Sequence, residues 1–172
     1  MLANGRLRRR VGGFGRPQWS PDGRWLLVSS LSHPFEVTLV DVRSADEFAT
    51  AEFPLEVPGK DFLATPAWAG NGRTIVAVVG DGQEVALEIL DISDLKQVRT
   101  KLTLLSNTQR GDWTLSDPVY DSRARRCWFV GAKREGKTLL WVDLARPGTI
   151  GRPDADVFEE ELHDLALSPD GR

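Results

Sequence analysis

A tight-turn sequence that recurs at nearly constant intervals constrains the fold of this chain more than any other feature. Its first copy, Trp-Ser-Pro-Asp-Gly, occupies residues 19–23 and leads into a short apolar run. Proline presets φ at the first turn position, aspartate tolerates the second, and glycine supplies the positive φ that reverses the chain. Related sequences put the turn residue at Gly72, Ala124 and Gly171, after 49, 52 and 47 residues. A period of roughly 40–50 residues in a β-rich chain is typical of propeller blades.

Apolar runs with strand-like alternation follow each turn, and together they predict an all-β chain. The first unit contains four such runs, at residues 17–19, 24–30, 36–42 and 48–57. We therefore expect a single domain over residues 1–172, an incomplete β-propeller built from blades of four antiparallel strands. The predicted blades lie over residues 16–57, 65–106 and 117–158, a further blade starts over 164–172, and residues 4–11 form an outer closing strand.

Some strands and one turn are expected to depart from the common pattern. The first strands of the second and third units are predicted at residues 65–68 and 117–120. The last strand of the third unit, within residues 149–158, is predicted to be weak because it contains Gly151 and Pro153. The third turn carries Ala124 between two arginines instead of proline and glycine, which indicates a different turn type.

The third strand of each unit ends on an aspartate. We expect this carboxylate to accept a hydrogen bond from the backbone that follows it and so to shape the bend into the outer strand. The residues assigned to the structural repeat are these aspartates and the conspicuous turn residues: Asp41, Asp91, Asp143, Trp19, Pro21, Asp22, Gly23, Trp68, Gly72, Pro169, Asp170 and Gly171.

On these motifs the chain resembles the TolB-type and WD-repeat β-propellers. The resemblance rests on the Pro-x-Trp-Ser-Pro-Asp-Gly-Arg run at residues 17–24, on its relatives at 66–73 and 168–172, and on the strand-end aspartates. It implies a non-enzymatic protein-interaction scaffold. Propellers usually close with four to eight blades, whereas this chain supplies about three and a third. We therefore expect it to be part of a larger propeller, or to associate with another chain through unpaired blade edges.

Two alternative functions stay open on the same resemblance. TolB-like blades resemble the propellers that gate the catalytic domain of prolyl-oligopeptidase-type hydrolases, and propellers also serve as sensor domains of signalling proteins. A hydrolase sequence downstream would indicate the first alternative. A kinase domain or a transmembrane helix upstream would indicate the second.

No catalytic constellation stands out, so we predict that the chain is not an enzyme and uses neither metal nor cofactor. The two histidines, His33 and His163, lack metal-ligand spacing, and Cys127 alone cannot build a common zinc site. A net charge of -3 gives no reason to expect a nucleic-acid partner. The apolar runs are too short to insert into a membrane. Because no export signal is recognised, we expect a cytoplasmic location, or an extracytoplasmic one if the sequence is an internal piece.

A protein partner is expected at one end of the blades. In a propeller, the loops that follow second strands and precede first strands share a face. Aromatic and cationic side chains often anchor interfaces, and those predicted on this face are Phe35, Lys60, Arg110 and Trp113. For Phe35 and Trp113, packing between adjacent blades is the favoured alternative.

Overall fold

The computed structural model describes residues 17–30, 36–42, 51–70, 72–106, 114–133, 136–153 and 165. Every regular element in this part of the chain is a β-strand. The strands are β1 (Gln18–Trp19), β2 (Trp25–Ser29), β3 (Val37–Asp41), β4 (Ala51–Leu55), β5 (Asp61–Phe62), β6 (Ala67–Trp68), β7 (Thr74–Gly80), β8 (Val85–Asp91), β9 (Arg99–Ser106), β10 (Thr114–Asp121), β11 (Arg126–Lys133), β12 (Gly136–Asp143) and β13 (Ile150–Gly151).

The strands form three antiparallel sheets, none of which closes on itself. The first sheet has the order β1-β2-β3-β4 and the third has the order β10-β11-β12-β13. In the second sheet β7, β8 and β9 follow one another, and both β5 and β6 pair with the remaining edge of β7. The predicted all-β class is confirmed, and consecutive antiparallel sheets of four or five strands are consistent with a partial propeller. The predicted closing strand at residues 4–11 lies outside the described residues, as does the further blade at 164–172 apart from Leu165.

The first strands of the second and third units differ from their predicted positions. Instead of one strand over residues 65–68, the second sheet has β5 and β6, which are separated by a segment containing Pro66. Proline has no amide hydrogen for the ladder. In the third sheet β10 begins ahead of the predicted residue 117 and is continuous, but its register shifts between Ser116 and Val119, around Pro118. A proline therefore interrupts the same ladder position in both sheets.

Within the described residues, the last strand of the third sheet consists of Ile150 and Gly151. Gly151 lies directly opposite Trp141, and a β-carbon at this glycine would come within 2.0 Å of the indole. The ring of Trp141 thus covers the backbone of β13 and requires glycine at this position.

The recurring turns reverse the chain as predicted, with one variation. In the first turn the Ser20 amide donates to the Trp25 carbonyl and the Trp25 amide donates to Ser20 Oγ, both at 2.8 Å. Gly23 and Gly72 have φ values of 65° and 77°. In the third turn the positive φ falls on Arg125, at 53°, and not on Ala124. This turn is therefore of a different kind, and a non-glycine residue bears the left-handed conformation.

The strand-end aspartates shape the bends that follow them. Asp91 accepts the Ser93 amide and Asp143 accepts the Ala145 amide, each at 2.8 Å. In the first unit, Asp41 Oδ2 accepts hydrogen bonds from Nε and Nη2 of Arg24, at 3.2 and 2.9 Å. The expected backbone bond is thus seen in the second and third units, while the first unit shows an ion pair across the turn.

Two hydrophobic cores lie between the sheets. The first core joins the first and second sheets and includes Leu39, Trp68 and Leu90; the second joins the second and third sheets and includes Leu87 and Phe129. Because side chains alternate along a strand, residues 75–79 of β7 contribute in turn to the first core and to the second. The second sheet is consequently buried on both faces.

Hydrogen bonds also tie β1 to the segment around β6. Gln18 Nε2 donates to the Pro66 carbonyl, and Trp68 Nε1 donates to the Gln18 carbonyl, both at 3.0 Å. The two tryptophans of the repeat therefore have different environments, since Trp68 is 9% exposed and Trp19 is 54% exposed.

Candidate functional site: a groove at the loop face

An open groove of about 640 Å³ lies at one end of the first sheet. Three segments line it: residues 36–38 at the start of β3, 54–57 at the end of β4, and 59–62 leading into β5. These segments meet because β3 and β4 are antiparallel, so the start of one lies beside the end of the other. This is the end of the blades at which the sequence predicts partner-binding loops. We call it the loop-face groove.

The floor of the loop-face groove is apolar and its rim is acidic. Val37, Leu55, Val57 and Phe62 line the groove and belong to the first hydrophobic core. Around them stand three exposed carboxylates, of Glu36, Glu56 and Asp61. A concave surface with an apolar floor and a few charged groups is suited to binding.

Lys60 also lines this groove, but the buried carboxylate of Glu88 compensates its positive charge. Its ammonium lies 2.7 Å from Oε1 of Glu88, a residue that is only 2% exposed. Thr100 Oγ1 donates to Glu88 Oε2 at 2.8 Å, and Thr103 Oγ1 donates to Oε1 at 3.2 Å. The buried carboxylate thus has hydrogen bonds to both oxygens, as a buried charge requires.

Glu88 occupies the middle of β8, on the strand face that points towards the first sheet. Its ladder partner is Ala77, and the corresponding residue of the third sheet is Leu140, which pairs with Phe129 in the same way. Glu88 is not among the site residues predicted from the sequence. The sequence does contain one indication of its role: a single carboxylate inside an otherwise apolar strand, where burial makes a cationic partner necessary.

The other predicted binding residues, Phe35, Arg110 and Trp113, lie outside the described residues. Phe35 directly precedes Glu36, which lines the loop-face groove. The binding role of Lys60 stays a prediction; the contact that the structure shows for its ammonium is the one with Glu88.

The same end of the second sheet carries a tightly organised acidic turn. Asp81 Oδ1 accepts the amides of Gln83 and Glu84, at 2.9 and 2.8 Å. These hydrogen bonds, that of Glu84 first, hold the pKa of the Asp81 carboxyl below its ordinary value of 3.8. Asp81 therefore remains ionised at neutral pH and adds to the negative potential of this end of the sheets.

A second open groove, of about 420 Å³, shares Pro54 with the loop-face groove and extends to the loop after the far end of β8. It is lined by Phe53 and Pro54 of β4 and by residues 93–96, which join β8 to β9. The described residues contain no group of three or more histidine, cysteine or acidic side chains placed to hold a metal ion. No helix long and apolar enough to cross a membrane occurs among them either.

Comparison with known proteins gives little further information. No family model and no curated protein matches the chain. Among solved structures, one match is the crystal structure of a puromycin hydrolase mutant in complex with PGG, with 16% sequence identity and a TM-score of 0.33. The match covers 91% of this chain and 32% of that chain, so the chain spans about a third of the length of that protein.

Proposed function

We propose that this chain is a non-enzymatic, protein-binding β-propeller segment, and that its loop-face groove holds an extended basic segment of a protein partner. The observation that carries the proposal is the groove itself, in which three exposed carboxylates surround an apolar floor. A partner with lysine or arginine on either side of an aliphatic or aromatic side chain matches this arrangement. Such charge complementarity gives an interface its specificity and its association rate.

The compensation of Lys60 by Glu88 supports a basic partner over an acidic one. Without Glu88, the ammonium of Lys60 would offset one of the carboxylates of the rim. Because the two charges form a pair at 2.7 Å, the net field of the groove is set by Glu36, Glu56 and Asp61. An acidic segment would meet these carboxylates without compensation, and like charges in contact disfavour binding.

The test uses two fluorescent heptapeptides, one with a central phenylalanine flanked by lysines and the other with glutamates in place of the lysines. Fluorescence anisotropy with the whole 172-residue chain should show binding of the basic peptide that weakens as salt is added. Each of E36Q, E56Q and D61N should weaken binding by about 2–5-fold, the equivalent of about 0.5–1 kcal/mol per exposed charge pair.

D94N is the matched control. It also removes one exposed negative charge, but it lies in the loop that follows the far end of β8. Its amide oxygen can still accept the Lys96 amide that Asp94 holds at 3.0 Å. Equal binding of the two peptides, or an equal loss in D94N and the groove variants, would contradict the proposal.

The two alternative functions make different predictions about the longer polypeptide. A segment that gates a prolyl-oligopeptidase-type hydrolase would be followed by a catalytic domain, and its groove variants would alter peptide hydrolysis. A sensor segment would be joined to a signalling domain. Peptide hydrolysis by the 172-residue chain on its own would exclude the non-enzymatic proposal.

A further inference from the structure

The backbone groups of β4 point alternately towards β3 and away from it, and the hydrogen bonds of the neighbouring strands show which residues point which way. The Ser30 amide donates to the Glu36 carbonyl at 2.8 Å, so the backbone groups of Glu36 and of every second residue after it point to β2. Those of Val37 therefore point to β4, where Leu55 is its ladder partner. Pro54, the neighbour of Leu55, consequently points its carbonyl away from β3.

This outward side of β4 is the edge of the first sheet. Among the strands that the structure describes, β4 pairs with β3 alone. Pro54 and Glu56, the next residue with the same orientation, are both exposed. A row of outward backbone groups on an edge strand is a template for pairing with another extended chain. Because proline has no amide hydrogen, a ladder formed here would lack one hydrogen bond, at residue 54.

The side chains at this end of β4 form two sets that fit a basic partner. Leu55 and Val57 belong to the first core and contribute to the apolar floor of the loop-face groove, whereas Glu56 contributes a carboxylate to its rim. A strand added beside β4 has the same alternation. One set of its side chains then lies beside the floor, and the other lies beside Glu56, where opposite charges stabilise a cross-strand pair.

We propose that the basic segment binds by β-strand addition, as a further strand on the outer edge of β4. One of its amides donates to the Pro54 carbonyl, and its lysine or arginine side chains alternate with apolar ones. In this mode of recognition the main-chain hydrogen bonds provide affinity and the alternate side chains provide specificity. The inference rests on the proposed function, because it states how the segment that the loop-face groove holds is bound.

An N-methyl scan of the basic heptapeptide tests the backbone pairing. Five peptides each carry one N-methylated amide, at peptide positions 2 to 6, and fluorescence anisotropy with the whole 172-residue chain measures their affinities. N-methylation removes the donor and puts a methyl group in place of its hydrogen. Strand addition predicts that one alternate set of positions loses about 3–10-fold in affinity, while the other set loses less than about 2-fold.

The unmodified peptide separates failure of this inference from failure of the proposed function. If it does not bind, both are wrong. If it binds but the N-methyl losses do not alternate, strand addition is overturned and the acidic groove remains a site for a basic segment. Because the scan uses the wild-type chain, it does not depend on the folding of any variant.

Pro54→Val is the test on the protein side. Valine keeps an apolar side chain in the groove and supplies the missing amide, so the unmodified peptide should bind about 2–5-fold more tightly. Pro147→Val is the matched control, since Pro147 is also exposed but lies after β12 in the third sheet; its affinity should equal that of wild type. Circular dichroism checks that both variants are folded. An unchanged or lower affinity in folded Pro54→Val would overturn the proposal.

A second copy of the chain is the other occupant that could pair with this edge. Light scattering of the wild-type chain, with and without the basic peptide, tests for it. We expect the mass of one chain, 19.1 kDa, in the absence of the peptide. A doubled mass that the peptide reduces to that of one chain would show that a second copy occupies the edge of β4, and would overturn the proposal.

Discussion

The buried ion pair between Lys60 and Glu88 allows a quantitative test of the packing between the first two sheets. We consider three variants: Lys60→Met, Glu88→Leu and the combination of both. Leucine is chosen because the third sheet has Leu140, 1% exposed, at the position that corresponds to Glu88. The three variants show whether position 88 requires a charged residue in any case, or requires one only because Lys60 is charged.

The two single variants should differ in cost. Lys60→Met leaves the Glu88 carboxylate, 2% exposed, with only two threonine hydroxyls as described partners, and breaking a buried pair in this way costs about 3 kcal/mol. Glu88→Leu leaves Lys60, whose side chain is 30% exposed and able to turn its ammonium to water, so we expect a loss of about 1 kcal/mol. The double variant should lose about 1 kcal/mol or less, since replacing both charges by apolar groups is close to neutral.

The double-mutant cycle therefore predicts a coupling energy of about 3 kcal/mol. Urea unfolding followed by tryptophan fluorescence measures each free energy of unfolding. Lys101→Met, at an exposed lysine of β9, serves as the control and should stay within about 0.5 kcal/mol of wild type. Losses that simply add in the double variant, or a Lys60→Met loss below about 1 kcal/mol, would refute the view that burial of Glu88 depends on Lys60.

Three further predictions concern single residues. Arg125→Gly should raise the midpoint of urea unfolding, because Arg125 has a positive φ of 53° that glycine adopts without strain. Glycine also makes the unfolded chain more flexible, so we expect a net gain in the free energy of unfolding of about 0.5 kcal/mol. A lower midpoint would contradict this. Cys127 is fully buried and burial raises its thiol pKa, so a thiol reagent should label the protein only in denaturant. Hydrogen bonds from Ser93 lower the pKa of Asp91 below 3.8; this stabilisation is present above that pH and lost as the pH falls. The Asp91→Ala loss should thus be larger at about pH 6 than at about pH 2.5 in paired unfolding curves.

The repeating parts of this fold were predictable because they follow from local chemistry. The turn at residues 19–23 needs a glycine with positive φ, and Gly23 provides it. The strands that follow the turns alternate between two buried faces, which apolar runs in the sequence already indicate. The backbone bonds of Asp91 and Asp143 were expected for the same local reason.

The parts that depend on contacts between sheets were not predictable in this way. Trp19 and Trp68 have the same local sequence context, yet one is exposed and the other is buried, because only Trp68 lies against another described sheet. Glu88 is buried on the strand face that points towards the first sheet, and it is paired with Lys60, 28 residues away. In the sequence, the one indication of this ion pair is a charged residue within an apolar strand.

Lys60 joins the loop-face groove to the core between the first two sheets, so one substitution tests both regions. In Lys60→Met the groove loses a positive charge while Glu88 keeps its negative one. The field at the groove then becomes more negative, although the protein becomes less stable. If that field attracts a basic segment, the lysine heptapeptide should bind about 2–5-fold more tightly to this variant at a temperature where it remains folded. The Lys60→Met/Glu88→Leu double variant, in which both charges are absent, should bind as wild type does. Unchanged affinity in the single variant would mean that the apolar floor, and not the charge of the rim, determines what the groove holds.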